Sequence, residues 1–390
     1  MISTIRASKT KCDFLKSFSA DLRKVGLRAS TYELGGKLVF KCCTEHLDRF
    51  SQSAMQVARS RRLEERWAFI NSLQEQGIGI QFTKGADLNP DAVAPQLFPC
   101  ESKKDKEIFE FCRLTQSVPT ARMLYRQLPF IVRDVAHRGL PIVGILGLSS
   151  PVYSLGARDQ FLGWQANHSD LKEKGLNSCL QLSVCMAVPP YSYLRAGRLI
   201  ASLALCDEVA REYAMRYSRN GKSPSLLGVV TLSAKGIHAP IFNRIKLRNG
   251  GLYRRIGCTS GYSSLAFSVK TLAAARALVI QHDGSCPDNR SISTVKRALN
   301  LCRVPREGFL QIGLQKGVYI GVPDDGALEA LRSARTNYQP TYPTVAAAIS
   351  VWRQDVKKAL RIAENVEKFL GFDPVLCRAT KKKGFFDETV

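Results

Sequence analysis

Residues 187–203, AVPPYSYLRAGRLIASL, hold the decision about the fold. Just upstream, CLQLSVCMAV (179–188) is almost wholly apolar, the pattern of a strand buried on both faces. Pro189 and Pro190 offer no N–H to a sheet ladder, so the strand stops there. Downstream, Leu199, Leu203, Cys206 and Ala210 recur at helical spacing, with Asp207, Glu208, Arg211 and Glu212 outside the stripe. The spacing predicts a buried strand, a tight turn and one long helix over 193–218.

The mouth of that helix carries a specific chemistry. Ser192 suits an N-cap, which leaves the N–H groups of Tyr193, Leu194 and Arg195 as donors without intrahelical acceptors. Gly197 lets another group come close to the backbone. Arg195 and Arg198 add full charge to the positive end of the helix dipole. Together these are the parts of a phosphate cradle. They are equally the parts of a capped turn with solvated arginines. The GxxxxGK[ST] spacing is missing, so the site is not a P-loop.

Working outward, LPFIVRDV, PIVGILGLSSPVY, LLGVVTLSA and GVYIGV are strand-length apolar runs parted by Gly, Pro and Ser. They point to an α/β (α+β) fold with a mixed central sheet around the long helix. Residues 10–26 place Phe14, Leu15, Phe18, Leu22 and Val25 on one helical stripe, and 47–77 reads as a second long helix containing RSRRLEER (59–66). That charge run is a solvated face or a phosphate-contacting ridge. The stretch 84–106, rich in Pro, Asp and Lys, reads as a linker. Three regions follow: a basic, mainly helical 1–106, an α/β core over 107–320, and a helical segment with a basic tail over 321–390.

Composition narrows the partners. Fifty-seven Lys+Arg against 33 Asp+Glu leave a net charge of +24. Such a field attracts polyanions, nucleic acid first and an anionic membrane surface second. No apolar run is long enough for a transmembrane helix, and the N-terminus has no hydrophobic signal region. The 12 cysteines form no CxxC pair and the five histidines do not cluster, so no metal site is expected and the cysteines read as reduced and cytoplasmic.

Three further constellations carry candidate chemistry. SLGARDQFLGWQ (154–165) sets Arg158 beside Asp159, where Asp159 is either a general base or half of a loop clamp. GVVTLSAKGIHAPIFNRIK (228–246) ends in Asn243 and Arg244, a pair suited to bases or phosphates, or to a simple hairpin end. LYRRIGCTSGYSSLAFS (252–268) brings Arg254 and Arg255 together with Tyr262, a mixture that holds phosphates and stacks on bases. G-x-S-x-G is absent, which argues against a serine hydrolase.

With these residues in view the chain resembles the DruA family of the Druantia anti-phage defence system. Four ordered segments carry the likeness: SVPTARMLYRQLPFIV (117–132), LPIVGILGLSSPVYSLGARDQFLGW (140–164), VCMAVPPYSYLRAGRLIASLALCDEV (184–209), and VVTLSAKGIHAPIFNRIK (229–246) with YRRIGCTSGYSSLAF (253–267). The family pattern reads RDxWIGW, AVPPYNxLLGGKL, TxSAxGxSSxYNR and IGxTxGYG. Phe161 stands where the family has Trp, and Arg198 where it has Lys. Ala239, Pro240 and Phe242 replace Ser, Ser and Tyr, and Ser263 replaces a glycine. The resemblance implies phage defence in the cytoplasm beside other Druantia proteins, including a very large helicase-like one.

A strand, a loop and a helix opening on R-x-G also resemble the coenzyme A pyrophosphate site of GNAT-type acyltransferases, whose R/Q-x-x-G-x-G/A pattern Arg195, Ala196, Gly197 and Arg198 match in part. The expected function is therefore engagement of nucleic acid, DNA rather than RNA, with no cofactor. A GNAT-like transferase with an acyl-CoA-type cofactor, and a structural subunit docking an acidic protein, are the alternatives. Homo-oligomerisation stays open.

Overall fold

The computed structural model describes residues 2–24, 28–34, 37–43, 59–114, 123, 125–164, 169–218, 223–233, 238–247, 251–262, 267–286, 291–304 and 315–374; for 2–8, 28–34, 37–43, 261–262 and 291–292 it describes the backbone alone. In chain order, α1 (Ile2–Lys24) is followed by β1 (Arg28–Leu34), β2 (Lys37–Cys43), α2 (Trp67–Glu75), β3 (Pro95–Pro99), α3 (Lys103–Leu114), β4 (Leu128–Asp134) and β5 (Ile142–Ser149). Then come α4 (Gly156–Leu162), α5 (Ser169–Asn177), β6 (Cys179–Ala187), a single 3₁₀ turn (Tyr191–Leu194), α6 (Ala196–Leu203), α7 (Asp207–Arg216) and β7 (Gly228–Leu232). The chain ends through α8 (Pro240–Asn243), β8 (Tyr253–Tyr262), α9 (Val269–Asp283), α10 (Ser291–Leu301), β9 (Gln315–Gly321), α11 (Asp325–Arg332), α12 (Val345–Ala359) and α13 (Ala363–Gly371).

Seven strands form one mixed sheet in the order β3-β4-β5-β6-β7-β9-β8. Neighbours from β3 to β6 are antiparallel, β6 and β7 are parallel, and β7 and β9 are antiparallel. This is the α/β class that the alternating apolar runs predict. β5 is buried at every residue, because its Ile, Val and Leu side chains meet helices on both faces. β6 is the strand whose sequence predicts burial on both sides. Instead Leu180, Leu182 and Val184 are buried while Gln181, Ser183 and Cys185 are half-buried, so its polar residues share one face.

Two apolar layers flank the sheet. On one face Leu180, Leu182, Val229 and Tyr319 pack with Leu199, Leu203, Val209, Trp352 and Phe369 from α6, α7, α12 and α13. On the other, Val230, Val318 and Ile320 pack with Leu162, Trp164, Leu328 and Leu331.

Three sequence expectations change. The single helix over 193–218 is a 3₁₀ turn and two helices. The break at 204–206 arises because Cys206 is extended and the Asp207 N–H donates to the Pro343 carbonyl (3.1 Å), so the ladder ends there. Asp207 and Glu208 then open α7 with negative charge on its positive pole. The stretch 84–106 is no linker: it supplies edge strand β3, flanked by Pro95 and Pro99, and the first turn of α3. The helix expected over 47–77 is described only from residue 59, and Arg66 interrupts it with non-helical backbone angles.

The chain divides into two compact units, residues 1–65 with 261–315, and 66–260 with 316–390. They do not follow the three consecutive regions drawn from composition, because the segment between β8 and β9 packs with the N-terminus. In the first unit Phe14, Leu15, Phe18 and Leu22 of α1 are buried against Phe267, Ala275, Leu278 and Val279, and Val295, Ala298 and Leu299 of α10 join them. The second unit holds the sheet.

Within that second unit the C-terminal helices return to the 84–88 segment. The Gly85 N–H donates to the Phe372 carbonyl (2.9 Å) and Lys84 pairs with Asp373 (2.9 Å). A Cβ at Gly85 would stand 1.5 Å from the Phe369 carbonyl oxygen, a backbone atom with nowhere to go. Gly85→Ala is therefore expected to destabilise the chain by about 3 kcal/mol, measured as a fall in the urea midpoint at unchanged slope.

Candidate functional site

The turn after β6 is pinned before any ligand is considered. The Pro189–Pro190 bond is cis, and Tyr191 follows it into the core. Its hydroxyl donates to Asp134 Oδ2 (3.0 Å), and burial plus that carboxylate raise its pKa far above the tyrosine range. Asp134 is fully buried and accepts from the Ala94 and Ala136 N–H groups (2.9 and 3.1 Å) and from His137 Nδ1 (2.5 Å). His137 Nε2 accepts from the Asn89 N–H (3.2 Å), which places the imidazole proton on Nδ1. One carboxylate thus ties β3, β4 and the β6 turn together.

The phosphate cradle expected at the next residues is taken up by the protein itself. The Tyr193 N–H donates to the Pro190 carbonyl and the Arg195 N–H to the Ser192 carbonyl (both 3.1 Å), so these two amides are not orphans. Ser192 makes no capping hydrogen bond; Arg195, in the left-handed region at φ 59°, stands at the N-cap of α6. Arg198 Nη1 donates to Asp355 of α12 (2.8 Å), with both side chains mostly buried. Trp352, one turn earlier on α12, donates its indole N–H to the Leu194 carbonyl (2.9 Å). Gly197 is approached as expected, but by the Ile241 side chain, 3.2 Å from where a Cβ would sit. Tyr193 is half-buried against the same apolar layer. Arg195 has no carboxylate partner among the described residues.

Arg158 and Asp159 form a clamp. Arg158 has no exposed surface and donates to Asp159 Oδ1 through Nε (2.8 Å) and Nη2 (2.6 Å), and to the carbonyls of Val152 (2.7 Å) and Tyr153 (2.8 Å). Asp159 Oδ2 accepts from Lys172 (2.9 Å) and the Leu155 N–H (3.2 Å). The guanidinium lies over Trp164 and the ammonium over Tyr153. A carboxylate holding two cations and an amide has no lone pair directed at a substrate, so the geometry fits the clamp and gives no support to a general base. Lys172, thirteen residues away, is the member that sequence spacing does not reveal.

The exposed cations gather elsewhere. Ile241 brings α8 against α6, and Phe242 stacks in the core against Tyr253 (5.1 Å) and Tyr319 (5.4 Å). Tyr253 of β8 donates to the Ala201 carbonyl of α6 (2.8 Å). Between them the Leu252 N–H donates to the Ile245 carbonyl (2.9 Å), with Ile245 and Leu252 buried. That pairing leaves Asn243, Arg244, Lys246, Arg254 and Arg255 exposed. None of the four cations meets a carboxylate among the described residues; Arg255 donates to Cys258 Sγ (3.2 Å). Residues 243–255, NRIKLRNGGLYRR, hold five cations and no acid. In sequence this stretch divides between two constellations, and Lys246 stands out in neither. The acid-free run is the signal that could have found it. The Tyr262 side chain lies outside the described residues.

The geometry yields a direct prediction about the clamp. Asp159→Asn leaves Arg158 and Lys172 buried with half their compensation gone. The expected cost is about 3–5 kcal/mol, seen as a lower thermal midpoint. An unchanged midpoint with abolished function would instead restore the general-base role.

The family model described as Druantia protein DruA matches residues 45–321. A curated relative, Druantia protein DruA of Escherichia coli (strain UMEA 4076-1), is 26% identical over 270 residues, 65% of this chain and 65% of its own length. No solved structure matches the chain. The 154–164 clamp, the β6 turn and the basic stretch 243–255 all fall inside the matched span, and the chain belongs to the DruA family.

Proposed function

We propose that the chain is a nucleic-acid-engaging component of a Druantia-type anti-phage defence system, working in the cytoplasm beside the other Druantia proteins, a large helicase-like protein among them. Family membership supports the system. The observation that supports the partner is the exposed set Arg244, Lys246, Arg254 and Arg255, unpaired with carboxylate among the described residues, on a stretch with no acidic residue. Guanidinium and ammonium groups that keep their water and lack a counter-charge are suited to replacing condensed counterions on phosphates. Asn243 adds a side chain able to donate and accept beside them. Such contacts hold the backbone without reading sequence, so DNA is bound by register and charge. Among the described residues no helix is long and apolar enough to cross a membrane.

The experiment is a salt titration. In the Arg244→Gln/Lys246→Gln/Arg254→Gln/Arg255→Gln variant, affinity for duplex DNA is expected to fall about tenfold or more. The slope of log affinity against log salt should shrink by about 3 to 4, near 0.9 for each phosphate no longer neutralised. An unaltered slope would remove these residues from the interface.

The transferase is the second reading, supported by the partial R-x-G match of Arg195 and Gly197 where α6 follows β6. Arg198 and Gly197, however, are committed to Asp355 and Ile241. Calorimetry with coenzyme A and acetyl-coenzyme A separates the readings: binding abolished by Arg195→Ala/Arg198→Ala favours the transferase, and no heat favours nucleic acid alone.

A further inference from the structure

We propose that the outer face of α1 is a second phosphate-contacting surface, on the other structural unit, that lies along the backbone of duplex DNA through Lys9, Lys16 and Arg23. The proposal rests on the nucleic-acid reading above and extends it to residues that reading does not use.

The buried side of α1 fixes its orientation. Phe14, Leu15, Phe18 and Leu22 face the apolar cluster of their unit, and Asp21 accepts from the Ser268 N–H (2.7 Å). The opposite side is therefore held outward. On it Lys9, Lys16 and Arg23 follow one another at seven-residue steps, all exposed. Seven residues drift by only about 20° around an α-helix and advance about 10.5 Å, so the three cations form one line roughly 21 Å long. None is within ion-pair distance of a carboxylate among the described residues, whereas their neighbour Lys24 reaches Asp21 (3.8 Å). Asp13, exposed on the same flank, pairs with neither Lys9 nor Lys16.

Three observations fit the occupant. The unit is itself basic, with 20 Lys+Arg against 10 Asp+Glu in residues 1–65 and 261–315. The exposed line carries no aromatic ring, since Phe14 and Phe18 are turned inward, so it offers no stacking platform for unpaired bases and suits a duplex backbone. In the charge run 59–66, the more conspicuous candidate in sequence, Arg61 donates to Glu65 (2.7 Å) and to the Phe267 carbonyl, and Arg59 is buried.

The test is Lys9→Gln/Lys16→Gln/Arg23→Gln in the full chain, titrated with salt against a mixed-sequence DNA duplex of about 30 base pairs and a single strand of equal length. The expected result is a duplex slope smaller by about 2 to 3 at an unchanged thermal midpoint, with little change on the single strand. An unchanged duplex slope means a merely solvated face and overturns the proposal. Equal reductions on both probes overturn the duplex assignment. The 244–255 variant serves as the separating control. If it weakens binding while the α1 variant does not, this surface fails and the nucleic-acid reading stands. If wild-type chain binds neither probe, that reading itself fails.

Discussion

The guanidinium groups that leave water around the sheet, those of Arg158, Arg198 and Arg126, do so where acceptors meet them. Arg158 sits with no exposed surface because Asp159 and two backbone carbonyls take its N–H groups. Arg198 is mostly buried because Asp355 meets it, and Arg126 donates to the carbonyls of Leu176 and Asn177 and to the Tyr213 hydroxyl. The cost of burying an unpaired ion is several kcal/mol, which makes this sorting compulsory. With 24 more cations than acids, the chain cannot pair them all. What remains must stand in water, and where it stands defines the candidate surfaces.

That sorting explains why the mouth of α6 differs from its promise. The strand-turn-helix corner has the composition of an anion site, yet α12 lies over it. Trp352 takes the Leu194 carbonyl and Asp355 takes Arg198, so the corner is a joint between the sheet layer and the C-terminal helices. The same helices tether the 84–88 segment through Phe372 and Asp373. Exposed charge stands instead at Arg244, Lys246, Arg254 and Arg255, on either side of Ile241 and Tyr253, which meet α6.

The legible part of the fold was what local pattern encodes. Apolar runs marked β4, β5, β6, β7 and β9, and the Phe14–Leu22 stripe marked α1. Long-range partners were not legible. Nothing near Arg198 announces Asp355, 157 residues on, and nothing near α1 announces α9. The break at Cys206 depends on a carbonyl from Pro343, so helical spacing carried straight through it. β3 hid in a proline-rich stretch because an edge strand tolerates Pro95 and Pro99 where a central strand would not. Of the candidate site, the types of residue were readable; which cations were already paired was not, since pairing is set by tertiary contact.

The central claim is that unpaired surface cations make this chain a binder of nucleic-acid phosphates. The most direct measurement is the affinity of the unmodified, nuclease-treated chain for duplex DNA across 50 to 200 mM salt, roughly the range over which counterion release shows. The account predicts a steep linear fall, with a slope of about −5 or steeper. Affinity that is flat across that range, or absent at its low end, contradicts it.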